Sequence, residues 1–323
     1  MAIVVGACGG SEGQEPIGGS SQSAEGTPFS PPGKIAFTRE GSGRHPDFFF
    51  DIYLMNADGG SRANLTQTPE IHEDSPAWSP DGNQIAFVRS ENRRTEDIWV
   101  MNADGEQVQL TDTPRLHEDG PAWSPDGQRI AFHRSTLRAG GVNDIFVMAA
   151  DGSHVTRLTK TTNAYEGVPA WSPDGQQIAF DRAFRLMHDP SVGIYVMNTE
   201  GGDERLLTRG PIFDDVIPAG PTFSPDGKHI AFLGLREGDR AKRIWLMNAD
   251  GTVPAPIPAA RSGLGSVPSF SPDGNRIAFE GHLPTGIYVI NVDGTGQVAL
   301  TENVPNDRDP DWSPVPGRLR LGP

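Results

Sequence analysis

The sequence predicts an all-β fold, a six-bladed β-propeller with four antiparallel strands in each blade. Three observations carry this prediction: a short turn motif recurs along the chain, an apolar triplet follows each copy, and glycine and proline are abundant. The 323 residues include 39 Gly and 29 Pro, which disfavour long helices because both residues are poor helix formers. The recurring motifs indicate repeated small sheets instead.

The turn motif is Ser-Pro-Asp-Gly, and its copies follow one another at nearly constant spacing. A period of about 40–50 residues with four strands in each repeat is typical of propeller blades. Complete copies begin at Ser79, Ser124, Ser172, Ser224 and Ser271, and degenerate copies begin at Ser30 and Ser313. The apolar triplet Ile-Ala-Phe begins at Ile35, Ile85, Ile130, Ile178, Ile230 and Ile277.

Each repeat contains four short runs of β-forming residues separated by turns, most of which contain Asp-Gly. In the second repeat these runs are strand a at Pro76–Ser79, strand b at Gln84–Arg89, strand c at Asp97–Asn102 and strand d at Val108–Thr111. Asp and Gly tolerate the positive φ that tight hairpins require, so consecutive runs are expected to pair antiparallel. One repeat therefore predicts one four-stranded meander.

The count of strands predicts how the propeller closes. Strands b, c and d occur six times, first within Lys34–Thr66 and last within Asn275–Thr301. The final copy of strand a, Asp309–Ser313, has no b, c or d strand after it, so it is expected to pair beside Lys34–Arg39. This pairing would close the ring and remove its open sheet edges. The propeller is then predicted to span residues 28–316.

These motifs resemble those of a known family. Ser-Pro-Asp-Gly-x-x-Ile-Ala-Phe, followed by Asp-Ile-Tyr-x-Met-Asn-Ala-Asp-Gly and Leu-Thr, is similar to the WD40-like repeat of the TolB family and covers most of the chain. The resemblance implies a non-catalytic binding scaffold of the bacterial cell envelope, periplasmic or on the cell surface. It also implies a protein or peptide partner, such as an envelope lipoprotein. The N-terminal α/β domain of TolB is expected to be missing.

Residues 1–27 indicate the end of a lipoprotein signal followed by a flexible tether. Gly6 and Ala7 precede Cys8, as in a bacterial lipoprotein cleavage box, and a Gly/Ser-rich stretch follows. Seven residues are too few for a complete secretory signal, so we expect the true start upstream and a lipidated Cys8. An ordinary disordered tail is the alternative. Residues 317–323 are predicted to be a C-terminal tail.

Charge and composition exclude several classes of function. The chain has 27 Lys and Arg against 42 Asp and Glu, a net charge of −15, which repels the phosphate backbone of nucleic acids. No apolar run approaches the length of about 18 residues that a transmembrane helix needs. The single cysteine excludes a disulfide framework and a cysteine-rich zinc site. We expect a monomer with no nucleic-acid partner, no transmembrane segment and no cofactor.

Binding residues are expected where the repeats differ, because variable loops carry function while the scaffold carries stability. In this topology the b–c and d–a connections lie on one face, and polar residues stand there just before strand a. Four neighbouring blades carry a carboxylate at one slot and two do not, which predicts a sided acidic funnel. The candidate binding residues are His72, Glu73, Asp74, His117, Glu118, Asp119, Tyr165, Glu166 and Asp307.

Two other interpretations of these carboxylates stay open. Structural ion pairs are one, because an arginine follows Ile-Ala-Phe by one residue in four repeats, at Arg39, Arg89, Arg134 and Arg182. Counting outward from the turn places Arg89 opposite Asp74 and Arg134 opposite Asp119. A divalent cation such as calcium at the pore mouth is the other, since crowded carboxylates repel one another unless they are neutralised.

A catalytic role is the alternative function. His72 and His117 occupy adjacent blades, and with Glu73 and Glu118 they would offer ligands to a metal, as in a metal-dependent lyase or hydrolase acting at the pore mouth. The other histidines share no such register, and no pair of nucleophile and base is recognisable. We therefore expect a binding protein rather than an enzyme.

Overall fold

Every regular element that the structure describes is a β-strand, which confirms the all-β prediction. The computed structural model describes residues 33–41, 49–68, 70–91, 95–102, 105–136, 142–184, 191–208, 216–236, 241–262, 267–282, 284–302 and 307–314. Within these ranges no helix has the length and apolar character to cross a membrane. The predicted signal, Cys8, the tether and the C-terminal tail lie outside them.

The strands fall into six modules of four, taken in the order first, second, third and fourth strand. Module 1 consists of β24 (Arg308–Trp312), β1 (Lys34–Glu40), β2 (Phe50–Asn56) and β3 (Ala63–Asn64). Module 2 consists of β4 (His72–Trp78), β5 (Gln84–Ser90), β6 (Asp97–Asn102) and β7 (Gln107–Gln109). Module 3 consists of β8 (Leu116–Trp123), β9 (Arg129–Thr136), β10 (Asn143–Ala149) and β11 (Thr156–Arg157).

The remaining three modules follow in chain order. Module 4 consists of β12 (Ala164–Trp171), β13 (Gln177–Phe184), β14 (Gly193–Asn198) and β15 (Arg205–Leu206). Module 5 consists of β16 (Val216–Phe223), β17 (His229–Arg236), β18 (Lys242–Asn248) and β19 (Ala255–Ser262). Module 6 consists of β20 (Ser269–Phe270), β21 (Arg276–Gly281), β22 (Gly286–Asn291) and β23 (Val298–Ala299). Consecutive strands within each module pair antiparallel.

The Ser-Pro-Asp-Gly turn joins the first strand of a module to the second. In module 2, Ser79 Oγ donates to Asp81 Oδ1 over 2.6 Å, and this hydrogen bond is the main cause that lowers the pKa of Asp81. Gly82 has a φ of 68°, a left-handed conformation that glycine adopts without strain. The same serine-to-aspartate bond recurs from Ser124, Ser172, Ser224 and Ser271. The turn chemistry is therefore repeated with the strands.

The core lies between neighbouring modules. The Ile-Ala-Phe triplet of each second strand is completely buried. Trp171, at the end of the first strand of module 4, packs with Ala131 and Ile145 of module 3 in one apolar cluster. Because each module buries its apolar face against the next, the repeated tryptophan at this slot serves packing.

The two ends of the described chain meet in module 1. β24 pairs antiparallel with β1, with Ile35 opposite Trp312. Module 1 also contacts module 6. Gly59 lies so close to Leu300 that an added Cβ would be 2.9 Å from Leu300 O. Arg62 Nη2 donates to the same carbonyl over 2.6 Å. Gly152 of module 3 meets the corresponding carbonyl of module 2 in the same way. Modules 6 and 1 are therefore in contact through the same kind of junction as modules 2 and 3.

Candidate functional site

The first strands of the modules line a channel of about 690 Å³. All six contribute a proline at the same slot: Pro76, Pro121, Pro169, Pro221, Pro268 and Pro310. Proline has no N–H to donate, so it is tolerated on an edge strand whose free side faces an opening. The repeated proline is thus consistent with first strands that present an unpaired edge to the channel.

The starts of the first strands lie beside the described ends of the b–c connections, and this end of the channel is called the loop-side mouth. Glu96, at the end of the loop before β6, bridges to His117 of the next module, and Glu118 N donates to Glu96 O over 2.9 Å. Asn143 and Tyr165 repeat this bridge between modules 3 and 4. The first strands of modules 3 and 4 therefore start beside the end of the b–c connection of the preceding module, as the topology predicts.

Four of the nine candidate residues are buried in ion pairs. The carboxylates at the slot shared by four modules are at most 1% exposed: Glu73, Glu118, Glu166 and Asp307. Each accepts a hydrogen bond from an arginine Nε over 2.6–2.7 Å. The expectation that these four line an accessible funnel is therefore corrected, because burial keeps their charges from any partner at the surface.

Each buried pair is held by further contacts. Thr68 Oγ1 donates to Glu73 Oε2 over 2.8 Å, and Arg89 Cζ lies 4.3 Å from the centroid of the Trp99 ring. Burial raises the pKa of Glu73, while its hydrogen bonds and the charge of Arg89 act in the opposite direction. Removing one member of such a pair leaves an uncompensated buried charge, which is strongly destabilising. The pair is therefore part of the scaffold.

A β-bulge decides which residue faces the arginine in module 2. The register of β4 against β5 shifts between Asp74 and Ala77, so Glu73 rather than Asp74 lies opposite Arg89. The count that placed Asp74 opposite Arg89 is thus wrong by one residue. The bulge contains Ser75, whose φ is 51°. One extra residue turns the side chains before it to the other face of the sheet.

Module 3 repeats this shift, so Glu118 rather than Asp119 lies opposite Arg134. Positive φ values mark the bulge in further first strands, at Gly120, Val168, Gly220 and Asp309. The bulge also has a consequence for the channel. Asp119 in module 3 and Asp74 in module 2, which precede it, line the opening instead of pairing with the arginine.

The arginine that follows Ile-Ala-Phe and the buried carboxylate opposite it occur in the same modules, and the modules that lack one also lack the other. In module 5 Pro218 lies opposite Gly234, and Gly265 and Gly281 occupy the two slots in the sequence of module 6. A Cβ on Gly281 would overlap the ring of Tyr288, so this aromatic side chain takes up the room. The joint occurrence is the sequence signal that identifies the ion pairs, and it accounts for the four-module pattern without a partner.

The other five candidates are not fully buried: His72, Asp74, His117, Asp119 and Tyr165. Asp74 lies between a histidine and an arginine, with His72 Nε2 at 3.0 Å and Arg308 Nη2 at 3.1 Å from Asp74 Oδ2. Arg308 Cζ also lies 4.1 Å from the ring centroid of Phe50. Arg308 belongs to β24, far away in sequence, and sequence analysis missed it for that reason.

Negative charge is concentrated at the loop-side mouth of modules 2 and 3. His117 Nδ1 lies 3.1 Å from Glu96 Oε2. Burial raises the pKa of Glu96, the charges of Asp119 and Asp74 raise it further, and His117 acts in the opposite direction. Three carboxylates therefore interact unfavourably here. Sequence analysis also missed Glu96, although it lies in a variable loop.

The metal site suggested by His72, His117, Glu73 and Glu118 is not assembled. Both glutamates accept hydrogen bonds from arginines, and the two histidines contact different carboxylates, His72 that of Asp74 and His117 that of Glu96. Among the residues that the structure describes, no group of three or more His, Cys, Asp or Glu side chains is placed to hold a metal ion.

Further polar residues lie along the channel wall. His133 and Glu280 occupy the slot directly after Ile-Ala-Phe, and both line the channel. That slot varies while its neighbours repeat: Thr38, Val88, His133, Asp181, Leu233 and Glu280. The residue type at this position differs between modules while the neighbouring positions repeat, and this difference could have identified His133 and Glu280 from the sequence. Asp311 lines the channel as well, and burial raises its pKa to about 6.

Sequence comparison finds relatives for part of the chain. Residues 32–183 match the family model described as the TolB beta propeller domain. The Tol-Pal system protein TolB of Thioalkalivibrio sulfidiphilus (strain HL-EbGR7) is 36% identical over 75 residues. That segment is 23% of this chain and 15% of the relative, so the chain matches well under two thirds of that protein.

Solved structures extend the likeness over most of the chain. TolB from Acinetobacter baumannii superposes with a TM-score of 0.73 at 23% identity, covering 87% of this chain and 66% of that one. A putative TolB from Agrobacterium tumefaciens gives 0.64 at 22% identity, covering 88% and 95%. An oligogalacturonate lyase in complex with manganese gives 0.57 at 14% identity, covering 78% and 71%. These likenesses show the fold alone.

Proposed function

Because this chain carries a TolB-like β-propeller, we propose that it is a non-catalytic binding module of the bacterial cell envelope that recognises a protein partner at the loop-side mouth. We propose as well that the six modules are the six blades of a closed ring. The pairing of β24 with β1 and the contact between Gly59 and Leu300 support this closure.

The observation that carries the proposal is a group of accessible polar side chains among the described residues. They stand at the starts of the first strands in modules 2, 3 and 4: His72, Asp74, His117, Asp119 and Tyr165. In the sequence, the slot that holds His72, His117 and Tyr165 is occupied by the apolar residues Ile217 in module 5 and Leu264 in module 6. A mouth that is acidic on one side suits a partner with a basic or polar segment, because complementary charge steers encounter and fixes orientation.

An extracytoplasmic location, a lipid anchor on Cys8 and a monomeric state belong to the same proposal. The likeness to TolB supports the envelope location, and the Gly-Ala-Cys sequence supports the anchor. Metabolic labelling with an alkyne fatty acid in cells tests the anchor. We expect label on the full gene product and none after Cys8→Ser, and equal absence of label from both would contradict it.

Site-specific photo-crosslinking tests the binding face. Tyr165 is 38% exposed at the loop-side mouth, and Val253 is 75% exposed on the opposite face. A photoreactive amino acid at position 165 should yield a discrete adduct with one envelope protein, whereas the same group at position 253 should not. Identical adducts from both positions, or none from position 165, would contradict the proposal.

Binding of the purified crosslinked partner gives the quantitative test. Tyr165→Ala and Glu96→Gln should each weaken the interaction, the second in a salt-dependent way because it removes a charge. Val253→Ala and Glu106→Gln are matched controls on the opposite face and should leave affinity unchanged. If the controls weaken binding as much as the test variants, the loop-side mouth is not the recognition surface.

A further inference from the structure

The arginine of a buried ion pair has more N–H donors than its carboxylate uses, and in two modules a second residue accepts from them. In module 4, Arg182 donates from Nε to Glu166 over 2.7 Å, and its Nη1 and Nη2 donate to the two carboxylate oxygens of Glu204 over 2.6 and 2.7 Å. In module 2, Arg89 Nη2 donates to Gln107 Oε1. Glu204 and Gln107 both stand three residues before the Leu of Leu-Thr, a position that we call the outer slot.

Module 3 has no acceptor at the outer slot, which is occupied by Val155. This valine is 41% exposed. Arg134 donates from Nε to Glu118 over 2.7 Å, and neither of its Nη atoms has a hydrogen-bond partner within the described part of the chain. Its side chain is accordingly 16% exposed, against 6% for Arg182. Because a guanidinium presents its N–H donors in a fork that matches a carboxylate, the outer side of Arg134 is open to an acceptor from outside the chain.

The charges around Arg134 point to the same kind of acceptor. A second arginine lies close by, since Arg157 Nη2 donates to Asp144 Oδ2 over 2.6 Å and Asp144 lies directly opposite Arg134. Together with the buried glutamate, the two arginines and two carboxylates of module 3 are neutral. In module 4 the position of Arg157 is taken by Leu206, and Arg182 with its two glutamates carries one negative charge in excess. One further carboxylate would therefore bring module 3 to the balance that module 4 already has.

We propose that Arg134 binds a carboxylate of a peptide, from a glutamate side chain or a C-terminus, in the position that Glu204 occupies in module 4. Nη1 and Nη2 each donate to one carboxylate oxygen, a geometry that adds specificity to the charge attraction. The methylene or methyl groups beside the carboxylate contact Val155. The ring of Phe146, whose centroid lies 4.6 Å from Arg134 Cζ, supports the guanidinium from below. Neither Arg134 nor Val155 lines the channel, so this site does not rest on the function proposed for the loop-side mouth.

Nuclear magnetic resonance of the arginine Nε–Hε groups tests this site in the purified chain. Titration with N-acetylglutamic acid α-amide, whose only charge is the side-chain carboxylate, should shift the Arg134 resonance saturably and leave that of Arg182 unchanged, because Glu204 already occupies Arg182. N-acetylglutamine amide has nearly the same shape without the charge and should cause no shift. N-acetylalanine offers a main-chain carboxylate instead, so the probe with the larger effect identifies the source. Sodium chloride at equal ionic strength should not shift Arg134 saturably.

Substitutions at the outer slot locate the site without touching the buried ion pair. Val155→Glu supplies an internal carboxylate, as in module 4, and should weaken the response of Arg134 to the probe at least tenfold. Val155→Leu is the matched control, since leucine offers no acceptor, and should leave the response unchanged. Circular dichroism verifies folding, and if Val155→Glu does not fold, the comparison of the glutamate and glutamine probes on the wild-type chain decides. An Arg134 resonance that does not respond to either carboxylate probe, or that responds equally in both variants, would overturn the proposal.

Discussion

Asp311 joins β24, the last strand within the described residues, to module 2 through a hydrogen bond from Trp78 N to Asp311 Oδ2 over 2.7 Å. Its other oxygen accepts from Ser269 Oγ of module 6 over 3.0 Å. A single carboxylate therefore links the first strands of modules 6, 1 and 2 at the place where the two ends of the described chain meet.

This carboxylate should make stability depend on pH. Burial raises the pKa of Asp311 to about 6 from an ordinary 3.8, so the folded state holds the proton more tightly than the unfolded state. The resulting stabilisation is complete below about pH 4 and is lost as the pH rises through about 6. Each pKa unit corresponds to about 1.4 kcal/mol, which limits the effect to about 3 kcal/mol. Urea unfolding at pH 4 to 7.5 should show the wild type losing stability relative to Asp311→Asn, and parallel pH profiles would contradict the assignment.

Truncation after Val304 should unfold the chain. It removes β24, and with it Trp312, which is 3% exposed, and Asp307, whose loss leaves Arg39 half-buried without its carboxylate. β1 would also expose a hydrogen-bonding edge. We expect loss of the β-sheet circular dichroism spectrum or a melting temperature lower by more than 10 °C, since a loss of several kcal/mol corresponds to such a shift. A truncated chain that melts like the full one would show that β24 contributes little.

Removing one member of a buried ion pair should destabilise the protein strongly, whereas replacing both members with apolar residues should destabilise it less. Glu118→Gln leaves the half-buried Arg134 without its counter-charge, so we expect a loss of about 2 kcal/mol. The double variant Glu118→Leu with Arg134→Leu should lose less than the sum of the single leucine variants, because no unpaired charge remains. Denaturant unfolding measures all of them. Lys228→Gln, which breaks an exposed pair with Asp226 and keeps the turn bonds of that aspartate, is the control and should change stability by less than about 1 kcal/mol.

The close contact between modules 2 and 3 should be measurable by comparing alanine substitutions at two glycines. Gly152 and Gly105 have φ values of 85° and 82°, so alanine at either position pays about 1–2 kcal/mol for the left-handed backbone. A Cβ on Gly152 would additionally lie 2.6 Å from Leu110 O, whereas one on Gly105 would meet nothing within 4 Å. Gly152→Ala should therefore lower the free energy of unfolding more than Gly105→Ala. Equal losses would show that the junction between modules 2 and 3 yields readily.

Much of the fold could be read from local sequence. The Ile-Ala-Phe triplets identify the second strand of every module, because three consecutive buried residues between turns describe a strand packed on both faces. The Ser-Pro-Asp-Gly turns mark where the first strand ends, since Ser79, Asp81 and Gly82 each satisfy a specific requirement of the hairpin. These features depend on residues close together in the chain, and repetition reinforces them.

The site was predicted less well, because one bulge residue in each first strand changes which side chains are buried. The bulge at Ser75 exchanges the environments of Glu73 and Asp74, so the carboxylate expected at the surface is buried against Arg89 and its neighbour lines the channel. No local propensity reveals such a shift, because Ser75 has an ordinary side chain and its positive φ is imposed by the sheet around it.

The sequence by itself determined the strands, their turns, the repeat and the family resemblance, because these follow from periodic burial and turn chemistry within about 50 residues. Only the tertiary structure decided which carboxylates are accessible, that Arg308 neutralises Asp74, and that Asp311 meets Trp78. The last two relationships join residues more than 200 positions apart. They depend on the register of packed strands, where a shift of one residue reverses the direction of every side chain.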